Sequence, residues 1–516
     1  MNLRPALNVE EALPASVDLA EIQLYMPTGA GAVQASARRM MDECWDSLRN
    51  FHADNILAAT ARLATLLEND RVLDGDLADE ARVLLVIGDV WRDDPARARG
   101  AASSLLRRTR SPRLHAVLLS VLRFCHWRTR DFQAFYELPP SPYSRSAQLC
   151  APRVACLSIE SAAEGEQLRF KLAERLAREA MDLSARVAGI DPHVALLSTC
   201  VMATIAYEMG AIDDADLLIR GRIPTLEQHG SIESACWGLA VAAKVAHARG
   251  NTALALLTWR RGADIGASRG WLRLTLRCMA EEVVMLVAEQ HLELAERLLA
   301  RADAKAGFPH HGDKLTVLET WPLELAHCRL AMAQGAYTQA RLGLARLRDA
   351  ALHINHPALV ARVTTVLVGA LFADGCTQEA QAELLGVLQL GASAGLYRTF
   401  IDELPIIAPC LHALRLTDGA RLGHLNPYIS SLLSASGPAP ADRKKSLACR
   451  DQAELLSTKE TIILRLIRMG LSNKSVAREL RIAPETVKSH AKRIFIKLST
   501  RTRAEAVARA TELGLI

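Results

Sequence analysis

The sequence predicts an all-α chain: an α-solenoid of two-helix repeats with a period of about 40 residues, followed by a small helical domain with a basic helix-turn-helix. Three observations carry this. Half of the 516 residues are hydrophobic but only 4% are aromatic, and Ala, Leu and Arg dominate, as in helix-rich proteins. One short pattern recurs at a fixed spacing through the body. The C-terminal segment carries most of the positive charge. From Ala441 to Ile516 seventeen Lys/Arg face eight Asp/Glu, a charge of +9; the whole chain carries +5, so the preceding 440 residues carry −4. A small basic module on a faintly acidic body points to a polyanion-binding unit attached to something larger.

Residues 1–40 form an N-terminal segment with acidic residues and no apolar signal core. No run of eighteen apolar residues follows anywhere, which argues against a membrane-spanning helix. The eleven cysteines form no CxxC pair and are odd in number; buried, reduced thiols of a cytoplasmic protein fit this better than a disulfide framework.

Residues 41–434 form the repeat array. "MGAIDDA", "RGNTALA", "EQHLELA", "QGAYTQA" and "DGCTQEA" end at Ala215, Ala255, Ala295, Ala340 and Ala380. Their turn positions are Gly210, Gly250, Gln290, Gly335 and Gly375, spaced by 40, 40, 45 and 40. Gly suits the left-handed residue that ends a helix. The Ala five residues later lets the second helix approach closely. The flanks carry apolar residues at helical spacing, as in Ala240, Val241, Val245 and Ala248. A two-helix unit repeated at this period is an α-solenoid, whose concave face is a binding surface. Weaker echoes lie near Asp94 and Arg130. The seven Trp read as core rather than as a ligand cage. His310-His311-Gly312-Asp313 reads as a loop, since adjacent side chains rarely converge on one ion. No GxxxxGK[ST], nucleophile elbow or HExxH occurs, and "PTGAGAVQ" lacks the Lys that would reach phosphates. The sequence supports neither catalysis nor a cofactor or metal site.

Residues 435–455 read as a linker: "SASGPAPADRKKSLACRDQAE", Ser434 to Glu454, is rich in Pro, Ala and Ser and lacks helical periodicity. Its cluster Arg443, Lys444 and Lys445 is either a phosphate contact or solvated charge.

Residues 456–516 read as four short helices. "LSTKETIILRLIRMG" starts at Ser457 or Thr458 as N-cap, turns Ile463, Leu464 and Ile467 inward and ends at Gly470. "LSNKSVAREL" restarts at Ser472 or Asn473, with Val476, Ala477 and Leu480 inward. After the break at Arg481-Ile482-Ala483, Pro484 opens the third helix, where its missing N–H costs nothing. This helix runs through Leu498 with Val487, Ala491, Ile494 and Leu498 inward. Its opposite face carries Lys488, Ser489 and Lys492, flanked by Thr486, His490, Arg493 and Lys497. "RTRAEAVARATELGLI" is the fourth helix. Two helices joined by a tight turn, the second basic and exposed, have the geometry that seats a helix in a DNA major groove.

At this point the tail resembles the LuxR-type (GerE-like) helix-turn-helix domain. The resemblance spans about sixty positions and rests on Leu456, Ser457, Glu460, Gly470, Ser472, Asn473, Lys474, Val476, Ala477, Leu480, Ile482, Glu485, Thr486, Val487, Lys488, His490, Ile494, Lys497, Leu498, Arg501, Ala506, Gly514 and Leu515. It implies base contacts from Lys488, Ser489 and Lys492, the set that the face analysis also picks. It implies phosphate contacts around Ser472, Asn473, Lys474, Thr486 and Arg493. Two positions depart from the pattern: Ala483 stands where a capping Ser is usual, and Arg493 where Asn is common. "GLYRTFIDE", Gly395 to Glu403, resembles the segment that closes the TPR-like helical-repeat sensor of MalT-like regulators. There the array binds an inducer and controls assembly on DNA. The nucleotide-binding switch module usual at the N-terminus of that family is not expected here, whether the chain is a shorter relative or the C-terminal part of a longer product. Together the resemblances imply a cytoplasmic, nucleoid-associated transcription regulator. It would be an activator rather than a repressor, a homodimer on promoter DNA, and a partner of RNA polymerase, with an unidentified small molecule or protein on the solenoid and no membrane contact. The alternative is an interaction scaffold whose tail binds nucleic acid without sequence choice.

Overall fold

The computed structural model describes residues 30–49, 52–69, 73, 75–141, 147–187, 191–307, 316–417, 422–423, 425–434, 463–464, 466–468, 472–479, 484–497, 500, 502–503 and 505–507. The linker at 435–455 and the His310–Asp313 stretch lie outside these residues, as does Cys449. Two compact units emerge, Met1–Leu432 and Leu433–Ile516. No helix among the described residues is long and apolar enough to cross a membrane.

The first unit is a succession of antiparallel helix pairs. Its first described helix, Ala30–Arg49, starts ahead of residue 41. The last, Asn426–Ser434, ends where the sequence reading ends the array. Between them run pairs such as Ile232–Ala248 with Thr252–Ser268, Leu272–Ala288 with Leu292–Ala306, and Pro357–Ala373 with Thr377–Ala394. The turn inside each pair is one motif. Gly210, Gly250, Gln290, Gly335 and Gly375 all have left-handed backbones, with φ of 86°, 77°, 63°, 80° and 84°. The following N–H reaches back five residues in every case: Ala211 to Ala206, Asn251 to Ala246, His291 to Leu286, Ala336 to Ala331 and Cys376 to Leu371, at 2.8–2.9 Å. This is the Schellman bond, which satisfies a carbonyl that the helix end would leave unpaired. The echoes near 94 and 130 are the same turn, centred on Asp93 (φ 64°) and Arg130 (φ 59°). A further copy inside a helix pair sits at Leu168 (φ 59°), and the same turn joins successive pairs at Gly270 (φ 68°) and Asn355 (φ 51°). The signal of the Leu168 copy is absent from the sequence because an apolar residue holds the left-handed position.

The small residues of the second helices are the packing points. Ala215, Ala255, Ala295, Ala340 and Ala380 are buried, so the helices of a pair meet nearly backbone to side chain. Around Ala295, the residues Leu276, Met279, Val283, Leu299 and Leu323 form one continuous cluster from three helices. Of the tryptophans, Trp91, Trp127, Trp259 and Trp271 are buried in the core; Trp45, Trp237 and Trp321 are only half-buried. The ten described cysteines are free. Burial pushes the Cys200 thiol up to about 12 and the Cys328 thiol up to about 11, so neither supplies a thiolate near neutral pH.

The array winds far enough to meet itself. Trp271 Nε1 donates to the Trp91 carbonyl at 2.7 Å. Arg273 forks onto both Asp93 oxygens at 2.9 Å. Arg130 donates to the carbonyls of Ile354 and Asn355 at 3.2 and 2.9 Å. The segment Gly395–Glu403 closes onto the first of the phased turns: Tyr397 N donates to the Glu208 carbonyl at 2.8 Å, and the Tyr207 hydroxyl donates to Asp402 at 2.9 Å. Two helices, Leu404–Thr417 and Asn426–Ser434, follow this segment. It therefore seals two turns of the superhelix against each other and does not itself adjoin the linker.

The second unit is small and has its own core. Ile463, Leu464, Ile467, Val476, Ala477, Val487, Ala491, Ile494 and Ala506 form one buried cluster, with Leu466, Phe495 and Val507 packed against it. The eight from Ile463 to Ile494 are inward positions expected from the sequence, Ala506 and the three packed residues are additions, and the expected Leu480 and Leu498 lie outside the described residues.

Candidate nucleic-acid interface and the central cavity

In the second unit the Asn473–Glu479 and Pro484–Lys497 helices stand as the sequence reading expects. Ser472 is the N-cap of the first: its hydroxyl accepts from Ser475 N at 3.2 Å. Val487, Ala491 and Ile494 bury one face of the second, while Pro484, Thr486 and Lys488 are exposed. Ser489, Lys492 and Arg493 belong to this helix, but their side chains lie outside the described ones. Ser472 and Lys474 are exposed and Asn473 is half-buried. Asn473 Oδ1 accepts from Arg503 Nη1 at 3.0 Å. That bond places a guanidinium from the start of the fourth helix beside the expected phosphate contacts. The sequence reading passed over Arg503, as it did exposed Arg478; both are visible only as charges at helix ends. Thr502, whose hydroxyl accepts from Glu505 N at 3.2 Å, fixes where that fourth helix begins. The arrangement presents cations and backbone caps around one exposed helix, which suits contact with a polyanion.

The first unit holds a separate feature, a cavity of about 170 Å³ inside the winding array. Its walls come from helices spread between Arg128 and Thr399, so no local motif announces it. Ionic groups are paired around it. Arg273 forks onto Asp93 and also donates to Glu233 at 2.5 Å, and Arg128 lies 3.2 Å from Glu233. Burial disfavours the Arg273 cation, yet Asp93 and Glu233 outweigh this and hold its pKa well above the ordinary value. Arg362 meets Glu281 at 2.9 Å. Arg130 meets Glu166 at 2.5 Å. Burial alone would raise the Glu166 carboxyl, but the neighbouring His356 and Arg130 and the bond from Trp127 hold it at about 2. Burial keeps His356 neutral, with its pKa lowered to about 4; its Nδ1 accepts from Leu359 N at 3.3 Å, as N-cap of the Pro357–Ala373 helix. Lys244 reaches Glu208 only at 3.8 Å, and Glu208 already accepts from Thr399 N and Oγ1 at 3.1 and 2.8 Å.

Fold and interface define a helical-repeat protein joined to a helix-turn-helix unit with a basic exposed face. The chain belongs to the MalT-like TPR family: residues 144–417 match the MalT-like TPR region, and residues 454–510 match the luxR family of bacterial regulatory proteins. The repeat match starts well ahead of the first phased turn at Gly210. Among curated relatives, the HTH-type transcriptional regulator AlkS of Ectopseudomonas oleovorans is 26% identical over 163 residues, covering 32% of this chain and 18% of that protein. The probable transcriptional regulatory protein NarL of Mycobacterium tuberculosis is 42% identical over 64 residues, covering 12% of this chain and 30% of that protein. The matched stretch thus spans less than a third of the length of either relative. Among solved structures, a Rap protein complexed with competence and sporulation factor covers 70% of this chain and 99% of its own at 11% identity, with a TM-score of 0.48. The class of function that the luxR-type domain marks is DNA-binding transcription regulation.

Proposed function

We propose that the protein is a sequence-specific regulator of transcription, acting as an activator and binding promoter DNA as a homodimer. In this reading Pro484–Lys497 lies in the major groove, with Lys488, Ser489 and Lys492 on base edges. Ser472, Asn473, Lys474, Thr486 and Arg493 hold the phosphates and set the register. The observation that carries it is the pairing of a Ser472-capped helix with a second helix that buries Val487, Ala491 and Ile494 and leaves Lys488 exposed. Phosphate contacts position such a helix and base-edge contacts give it sequence choice. The repeat array is the sensor: it binds a small molecule or protein and shifts the reader between states of different DNA affinity. RNA polymerase is the partner on the promoter, and the protein works in the cytoplasm on the nucleoid. Selection of bound fragments from genomic DNA, followed by footprinting on the recovered duplex, tests this. Protection of a defined site with two related half-sites is the expected result. Uniform binding to every fragment would favour the scaffold with a nonspecific tail.

A further inference from the structure

The ionic groups around the central cavity do not balance. With His356 neutral, every carboxylate among the pairs described above has a cation, and Lys244 and Arg362 each have a carboxylate. Arg277 is left over. It lines the cavity, no carboxylate among the described residues pairs with it directly, since the nearby Glu281 is taken by Arg362, its Nε is buried without a hydrogen-bond partner, and its guanidinium lies 5.9 Å from the centre of the Trp321 ring. A guanidinium held against an indole is only partly compensated, and a buried polar group without a partner is costly. A flexible cation, Lys244, lines the same cavity, and its carboxylate partner is shared with Thr399. Trp237, Val241, Leu318 and Leu359 add apolar wall beside these polar groups.

We propose that this cavity binds a small monoanionic carboxylate with a compact apolar body, the carboxylate taken by Arg277 with help from Lys244. The inference rests on the sensor reading of the array and names the chemistry of its ligand. One surplus cation calls for a single negative charge; a phosphate dianion would overcharge the site. A planar guanidinium matches a carboxylate with two parallel hydrogen bonds. The size fits as well: a cavity of about 150 Å³ accepts benzene, so this one takes a body of about six to ten heavy atoms. Glu208 and Thr399 link the Lys244 side of the cavity to the segment that seals the superhelix, so a bound anion that draws Lys244 away from Glu208 acts on that seal.

The test uses the full chain and three probes: benzoate, its neutral isostere benzyl alcohol, and inorganic phosphate. Calorimetry should show benzoate binding about tenfold or more tightly than either of the others, as a charge-assisted bidentate contact requires. Arg277→Gln should bring benzoate down to the level of benzyl alcohol, Arg277→Lys should fall between, and the exposed control Arg297→Gln should behave as wild type. Melting temperatures near wild type show that the variants fold. Equal binding of benzoate and benzyl alcohol, tighter binding of phosphate, no benzoate binding, or an unaffected Arg277→Gln would each overturn the proposal. DNA affinity measured alongside separates the two claims. Benzoate bound through Arg277 without any change in DNA affinity keeps the site and sinks the sensor reading; a neutral ligand that changes DNA affinity does the reverse.

Discussion

Single side chains decide whether the tail reads sequence or merely holds charge. Lys488→Ala and Lys492→Ala should each weaken specific binding by about 1–3 kcal/mol and relax base preference; competition between specific and scrambled duplexes measures this, and unchanged preference in both would remove these residues from the readout. Lys474→Ala and Arg493→Ala should instead lower affinity for all sequences alike and reduce the slope of log affinity against log salt by about one each. A slope equal to wild type would count against phosphate contact. In the array, His356 makes a different residue-level expectation. Its folded pKa of about 4 lies below the ordinary 6.5. Between these values the unfolded chain holds a proton that the folded chain does not. Stability from this group is therefore fully present above 6.5 and is lost as pH falls, by about 2 kcal/mol down to pH 5. His356→Asn can still cap the Pro357–Ala373 helix, since Asn is a good N-cap, but does not titrate. Its stability should fall less than wild type between pH 7.5 and pH 5 in denaturant titrations; an identical fall would place the pH dependence elsewhere.

At the scale of elements, the turns show what could be read in advance and what could not. Gly at the left-handed position, in four copies of five, and Ala five residues on in all five are local signals, and they located five turns, with two weaker copies near 94 and 130. Leu168 escaped because an apolar residue, which carries no turn signal, holds the same backbone. The seal at Gly395–Glu403 and the cavity escaped for another reason: their contacts join residues about 190 apart, and periodicity carries no information on how far an array winds. The tail was legible because its inward stripes, caps and proline all act within a few residues of each other. The phased glycines are not equivalent, and this gives a test. At Gly250 an added Cβ meets nothing within 4 Å, whereas at Gly210 it lies 2.8 Å from the Tyr397 ring. Both Gly→Ala changes cost the left-handed strain, about 1 kcal/mol. Gly210→Ala must also displace Tyr397 and should cost at least about 1 kcal/mol more; equal unfolding free energies would mean that the seal is not packed as described. Gln290→Gly should do the opposite and stabilise by up to about 1 kcal/mol by releasing the same strain.

At the scale of the whole molecule, a small unit with its own core follows an array that is tied together by contacts between distant repeats. Because the second unit has a core of its own, the role of the array can be measured. If the array is a sensor, it biases the reader between states, and a ligand must bind those states differently. The most direct measurement compares residues 456–516 with the full chain on one selected promoter fragment, each with and without a metabolite extract. The account predicts that the isolated reader binds with one affinity in both conditions while the affinity of the full chain changes with the extract. Equal affinity in all four conditions would contradict it.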